Sequence, residues 1–588
     1  MCGIFGMAGS WPRLCDGYSG GSRLGHRGPD ARGRWCDDEV VLEHTRLSII
    51  DLSPDANQPF SLNPRYVITY NGEIFNFEDL RAKVSAGTRF TTRSDTEVLF
   101  RLLEQQGTAA LEHLNGMFAF AFYDRERKRL LLARDRFGVK PLYYHHDARG
   151  LVFASEQKAI YPLVGAEVDR DALAEYLAFK FVSGSRTLVQ GVSELEPGHL
   201  LEFDVTANAL STRRWYQLPV GRDGSAKGVA EATETLLEDA VRVRLVGDVP
   251  VGLQLSGGVD SSLVAYMVSE RLGRKLHSYS IGFPGSDHDE TGFAQRLADR
   301  FGLQHCPIEF TVDDFVALWE RATWHNDEPL NHPHSLPIYK LNQVARSDVT
   351  VLLSGEGADE VFLGYDQHRR YLGLESLDDA AQFYRFLPHE TVRLALAHRG
   401  PATEDDVGCR RAMAGEAAGA PNALTILEFQ LHLNTLLNRI DKMSMASAVE
   451  IRTPFLDVRL VELGVRAPIP SLVGSDGGSR KLPLMQLYEK FFGDGLSRRP
   501  KIGFRVPFDD WLRTDDRFRD TVLQLILQLE DGDLLSSAYV RGLTDRLHRQ
   551  TWAPEVFREA WVAANLSIWH RLFTQDRHSP VRNSLGNG

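Results

Sequence analysis

The hydrophobic positions of the chain change period several times between Val229 and Ser354. The stretch to about Arg244 repeats its apolar residues at helical spacing, and PVGLQL at 250–255 is then an apolar run of strand length. LHSYSIGF at 276–283 reads as the next strand. TGFAQRLADRFG follows with Phe293, Leu297 and Phe301 at i, i+4 and i+8, one stripe of an amphipathic helix, and VTVLLS at 349–354 is strand-like again. Alternation of this kind predicts a parallel α/β sheet with ligand loops at the carboxyl ends of its strands. Upstream the pattern differs. GMFAFAFYD at 116–124 and KRLLLARDRFG at 128–138 read as buried strands of a sandwich, and the pair Asn71-Gly72 between YVITY and EIFNF is a hairpin-turn signal. Stacked sheets flanked by helices are expected there.

The polar segment PVGRDGSAKG at 219–228, rich in Pro, Gly and Ser, has no apolar period and reads as a linker. It divides a front domain, 2–215, from a rear domain, 229–575, with 216–228 between them. Further on, Leu433, Leu436, Leu437, Ile440 and Met443 give one face of a long helix, with Asp441, Lys442, Glu450 and Arg452 as polar residues near its end. An apolar helix around Trp561 to Leu572 closes the rear domain, and the polar tail 576–588 is expected to be disordered.

Bulk numbers narrow the function. A chain of 588 residues needs more than one core. With 43% hydrophobic and 25% charged residues and no apolar run of spanning length, a membrane role is not expected. A net charge of −12 argues against nucleic acid as a bulk partner. The N-terminus lacks the basic flank and apolar core of a secretory signal, so a reducing, cytoplasmic location is expected. The five cysteines, at 2, 15, 36, 306 and 409, show no CxxC spacing, which argues against a disulfide framework or a zinc site.

Two stretches carry chemistry. In SGGVDSS at 256–262, Gly257 and Gly258 let the backbone turn its N–H groups toward an anion, and Ser256, Ser261 and Ser262 add hydroxyls at a helix N-terminus. Asp260 beside a phosphate site would repel it unless a cation lay between, which makes it a Mg²⁺ ligand on this reading. No GK[ST] follows the glycines, so this is not a Walker A loop. Cys2 is the second. Removal of Met1 would put a thiol and an α-amine on one residue, and the amine, with a pKa near ~8, can act as base for the thiol.

These stretches resemble known families. SGGVDSS is similar to the pyrophosphate loop of the N-type ATP pyrophosphatases, which implies adenylation rather than phosphoryl transfer. MCGIFG, RGPD at 27–30, HTRLSIID at 44–51, YNGEIFN at 70–76 and SDTE at 94–97 resemble, in order and spacing, the N-terminal-nucleophile glutaminase domain of class II glutamine amidotransferases. That resemblance implies an αββα sandwich in which Cys2 attacks the side-chain amide of glutamine. It also implies an oxyanion hole from Asn71 and the Gly72 N–H, Arg46 on the glutamine α-carboxylate, and Glu73 and Asp95 on its α-ammonium. SGEGADE at 354–360 resembles the second signature of asparagine synthetases. By that match Ser354 and Gly355 contact the nucleotide, Glu356 supports an acyl-adenylate, Asp359 joins Asp260 on Mg²⁺, and Leu255 and Ile281 line an adenine pocket. RIDKMSMASAVEIRTPFLD at 439–457 resembles the substrate-proximal helix of that family, and Lys501 in RRPKIGFRVPFDDWL matches its phosphate-neutralising lysine.

The whole chain thus resembles the glutamine-hydrolysing asparagine synthetases. The resemblance implies glutamine, ATP with Mg²⁺ and a carboxylate acceptor as reactants, ammonia moving through a dry passage between the domains, and AMP and pyrophosphate as products; a homodimer is left open. Aspartate is the acceptor that the family implies. After DEP at 327–329, however, this chain reads LNHPHSLP, a departure from the family that leaves sugar acids or natural-product precursors as alternatives. His332 and His334 read as loop histidines. A β-lactam-forming relative would not need Cys2.

Overall fold

The computed structural model describes residues 2–15, 17–84, 89–286, 289–366, 368, 382, 384–396, 410, 422–474, 480–493 and 505–575. In the front half, one sheet runs in the order Ala31–Cys36, Val40–Arg46, Gly3–Gly9, Gly150–Ala154, Tyr143–Asp147, Ser193–Glu194. The other runs Ala209–Arg214, His199–Asp204, Arg129–Arg134, Gly116–Asp124, Tyr66–Ile74. Alternate side chains of each strand enter different cores. Ile4, Ala8, Ala119, Ala121 and Tyr123 lie between the sheets. Phe118, Phe120 and Phe122 pack against Val98, Leu99 and Leu102 of the helix Asp95–Gln106. Phe5 and Met7 share a core with Leu173 and Leu177 of the helix Arg170–Phe179. Each phenylalanine so buried contributes roughly 1.5–3 kcal/mol. Helix, sheet, sheet and helix follow one another, the αββα order expected.

The hairpin reading fails. Tyr66–Ile74 is one strand that runs straight through Asn71 and Gly72, paired from end to end with Gly116–Asp124. Gly72 is needed there for close approach and not for a turn: a Cβ at this position would lie 2.2 Å from the Met117 carbonyl oxygen.

The rear sheet has five strands in the order Gln304–Glu309, His277–Gly282, Val251–Gln254, Val351–Leu353, Glu450–Arg452, every pair parallel. The helix Thr291–Phe301 buries Ala294, Leu297, Ala298 and Phe301 and ends on Gly302 at φ 62. A second expectation also fails. The helix Asn434–Met445 stops before Glu450 and Arg452, which form the edge strand. The apolar stripe of the helix ends at Met445; Val449 and Ile451 then alternate with Glu450 and Arg452 at period two, and both β-branched residues are buried. Asp441, Lys442, Glu450 and Arg452 are all buried, so none belongs to a solvated face.

Buried ion pairs join the halves: Arg27 to Asp441 at 2.8 Å, Lys140 to Asp441 at 3.3 Å and Lys158 to Asp327 at 2.8 Å. Breaking one such pair leaves a buried charge at a cost of about 3–5 kcal/mol, so these contacts hold one relative orientation firmly. Among the described residues, Cys2, Cys15, Cys36 and Cys306 are free thiols, Cys409 lying outside them, and no helix is long and apolar enough to cross a membrane.

Candidate active site

The front centre forms where the first strand meets Tyr66–Ile74. The Cys2 N–H donates to Asn71 Oδ1 at 2.9 Å, and its Sγ lies 3.9 Å from the Leu47 carbonyl. Burial pushes the thiol pKa up. Asn71 is fully buried, and its Nδ2 has no hydrogen-bond partner. An orphaned amide donor beside a buried thiol fits an oxyanion that develops on a carbonyl under attack.

Around this centre the other expected residues converge. Arg46 directs its guanidinium to the Ser53 carbonyl at 2.8 Å, to Asn57 Oδ1 at 2.7 Å and to the Asp51 carbonyl. Asp95 accepts from the Tyr70 hydroxyl at 2.8 Å and from the Ile74 N–H at 3.0 Å. Glu73 is buried, and burial followed by the charges of Glu450 and Asp95 raises its pKa, against the opposing pull of Arg452. Two residues go beyond the sequence reading of this centre. Arg27 donates to the Cys2 carbonyl at 3.0 Å while it pairs with Glu156 and with Asp441 of the rear half. Arg452, also from the rear half, lies beside Glu73.

The rear centre is a cavity of about 980 Å³ at the carboxyl ends of the parallel strands. Leu255, Ser256, Gly257, Gly258, Asp260, Ser261, Ile281, Ser354, Gly355, Glu356 and Asp359 all line it. Gly257 sits at φ 76, the left-handed region, where a Cβ would also press on Phe293. Ser262 is the exception: it is fully buried, and its hydroxyl donates to the Gly258 carbonyl at 2.7 Å, so it fixes the loop instead of facing the cavity. Ser261 also donates to that carbonyl, at 3.2 Å.

Asp260 and Asp359 converge on one point. Lys481 Nζ stands there, 2.6 Å from Asp260 Oδ2 and 2.8 Å from Asp359 Oδ1. Burial alone would lower the lysine pKa, but the two carboxylates together raise it above the ordinary value. Two carboxylates that share one ammonium are a donor set that also fits a divalent cation. No spacing in the sequence marks Lys481, because residues 260, 359 and 481 meet only through the fold. Lys501 lies outside the described residues.

Beyond Glu356 the wall of the cavity changes character. Arg439 pairs with Glu356 at 3.1 Å and with His334. His332 and His334 lie in the loop just before the helix Ser335–Ala345, as the sequence reading has them, and there they stack at 4.7 Å between ring centroids and line the cavity. Tyr384 stacks on His432 at 3.9 Å. Glu428 accepts from Tyr384 and pairs with His368 and His432, contacts that offset its burial and hold its pKa down at about 2. Glu360, Glu428 and His432 are grouped closely enough to suggest a metal, but the Glu428 oxygens are already taken up by these contacts.

Comparison with known proteins gives each half a family match. The glutamine amidotransferase domain model matches residues 1–216, and the asparagine synthase model matches residues 232–571. A putative glutamine-hydrolysing asparagine synthetase of Mycobacterium tuberculosis is 30% identical over 99% of this chain and 98% of its own. Glutamine-hydrolysing asparagine synthetase 1 of Bacillus subtilis is 30% identical over 94% of this chain and 93% of its own. The amidase chry2 of Gibberella zeae is 35% identical over 59% of this chain and 54% of its own.

Proposed function

The chain belongs to the asparagine synthase family of glutamine-dependent ligases, and from that premise we propose that it makes an amide from ATP, glutamine and a carboxylic acid, with aspartate as the acceptor. The carrying observation is the convergence of the Gly257 loop, the Ser354–Gly355 loop and the Asp260–Asp359 pair on one cavity.

At the front, Cys2 attacks the glutamine side-chain amide, and Asn71 Nδ2 with the Gly72 N–H stabilises the oxyanion. With Met1 removed, the α-amine of Cys2 takes the thiol proton and returns it to the departing ammonia. Arg46 holds the glutamine α-carboxylate through its fork, and Glu73 with Asp95 holds the α-ammonium. A thioester then hydrolyses to glutamate. At the rear, the acceptor carboxylate attacks the α-phosphorus of ATP and expels pyrophosphate; ammonia then attacks the acyl carbon of the adenylate, loses a proton and expels AMP, a far better leaving group than oxide. The N–H groups of the Gly257 loop cradle phosphate, and Leu255 and Ile281 flank the adenine. Asp260 and Asp359 would hold Mg²⁺, which when bound neutralises phosphate charge. Lys481 holds these carboxylates in place, and Glu356 supports the acyl-adenylate. Ammonia must arrive as the free base, because ammonium has no lone pair.

Supply of ATP, Mg²⁺, glutamine and aspartate tests this directly: asparagine, AMP and pyrophosphate should appear in equal amounts. Glutamine hydrolysis without asparagine would reject aspartate. The second reading, another carboxylate on the same chemistry, is favoured by the imidazole-lined wall at His332 and His334 and by the likeness to a protein named as an amidase.

A further inference from the structure

Lys180 precedes residue 216, where the glutamine amidotransferase match ends, yet it lines the rear cavity. The helix Arg170–Phe179 delivers it. Lys180 is the C-cap of that helix at φ 70, a left-handed conformation that glycine adopts without strain and lysine does not. Strain kept at a cavity wall is a pointer to function.

The charges lining the cavity sharpen the pointer. Lys481 is held by Asp260 and Asp359, Arg480 by Asp366, and Arg439 by Glu356. Lys180 has no carboxylate partner among the described residues. Its ammonium lies 3.4 Å from His332 Nδ1 and 4.5 Å from the centroid of the Phe386 ring. It is partly exposed, yet enclosed deeply enough that burial, with Arg439 and Arg558 nearby, lowers its pKa to about 7. When Lys180 donates to Nδ1, the imidazole proton of His332 resides on Nε2. That Nε2 is buried and has no hydrogen-bond partner. Two donors, one of them charged, therefore stand side by side near the Glu356–Arg439 pair, a complement to an anion.

We propose that Lys180 and His332 bind a second carboxylate of the acceptor, distinct from the one that is activated, so that the acceptor class is a dicarboxylate. This rests on the amide-forming reading above, which aspartate satisfies as a small dicarboxylic acid. The front half then supplies the recognition residue for a substrate that reacts at the rear.

A labelling experiment on the full-length protein tests binding without turnover. Cyanate carbamylates Lys180, and peptide mass spectrometry follows the rate with aspartate or succinate present, or with β-alanine or propionate, which lack the second carboxylate. Both dicarboxylates should slow labelling about threefold or more when near-saturating, and the monocarboxylates should not. Equal labelling with both sets overturns the proposal. Absence of AMP formation with aspartate would count against the proposed function and leaves the labelling result to decide this one. Kinetics add a second readout. Lys180→Met should raise KM for the dicarboxylate about tenfold or more and Lys180→Arg much less, while glutamine hydrolysis reports that the variants are folded. A rise confined to KM for ATP would place the lysine at the nucleotide and overturn the proposal.

Discussion

The Arg452 guanidinium lies 3.6 Å from the Glu73 carboxylate, across the boundary between the two halves. Its backbone carbonyl accepts from the Ser354 N–H at 2.9 Å, at the start of the SGEGADE loop. One residue thus touches the Ser354 loop of the rear cavity with its main chain and Glu73 of the front centre with its side chain. Arg452 is the larger of two positive charges, the other being the N-terminal amine, that oppose the raised pKa of Glu73, and an ionised Glu73 pairs best with an ammonium. Arg452→Met should therefore raise KM for glutamine about tenfold or more, while Arg452→Lys, which keeps the charge, should recover much of the affinity. The check is glutamine hydrolysis at varied glutamine, beside a melting curve that detects loss of fold. An unchanged KM in a folded Arg452→Met protein would detach Arg452 from the glutamine site.

Cys2→Ala should abolish synthesis from glutamine and preserve synthesis from ammonia, since the rear cavity is untouched. Asn71→Ala should lower kcat for glutamine hydrolysis by about 10²–10³ with little change in KM, the mark of a donor that acts on the transition state. Initial rates with each nitrogen source separate the two effects. Failure of ammonia to rescue a folded Cys2→Ala protein would refute the division into two centres.

Asp359→Asn should cut AMP and pyrophosphate formation by at least about 10²-fold and leave glutamine hydrolysis in place, because it removes one of the two carboxylates that meet at Lys481. Titration of Mg²⁺ should show a weakened requirement curve in this variant. Wild-type rates of adenylation would move the cation elsewhere.

His44 sets an acid limit on stability. Its ring is fully buried, donates from Nε2 to the Tyr70 carbonyl at 3.1 Å, and has a pKa lowered to about 3 by burial. Once unfolded, the same imidazole titrates near 6.5. Below that pH the unfolded chain takes up a proton that the fold refuses, so His44 alone removes about 1.4 kcal/mol of stability per pH unit from pH 6.5 down to 3, beside the other buried histidines whose pKa values are lowered. His44→Gln should flatten this part of the profile, read as denaturant midpoints between pH 6.5 and 5. A slope identical to that of the parent would show that His44 is not the group responsible.

The fold was legible where period alone decides. The strands that end at Gln254 and Leu353, and the helix Thr291–Phe301 between them, follow from apolar spacing, whereas the helices Val312–Asn326 and Ser335–Ala345 were not read from it. Both loops that face the cavity were legible too, because Gly257 and the serines carry local signals. Asn71-Gly72 misled, since a close approach between strands and a tight turn call for the same glycine. Glu450 and Arg452 misled because a helix and a following strand lie only a few residues apart. Lys180 and Lys481 had no local signal at all, and the motif that contains Arg452 gave no sign that its side chain reaches Glu73 in the front half. Each owes its place to a partner hundreds of residues away or to the opposite half, and no window along the chain contains both members of such a pair.

Lys180 and Phe181 precede residue 216 and still line the rear cavity. A graft that exchanged the front half for that of another glutaminase would therefore alter which acid the hybrid accepts, not only its nitrogen source. Substrate choice in this enzyme would be inherited with the module that never handles that substrate chemically, so a chimera joined after Arg214 should carry the acid preference of whichever front half supplies positions 180 and 181.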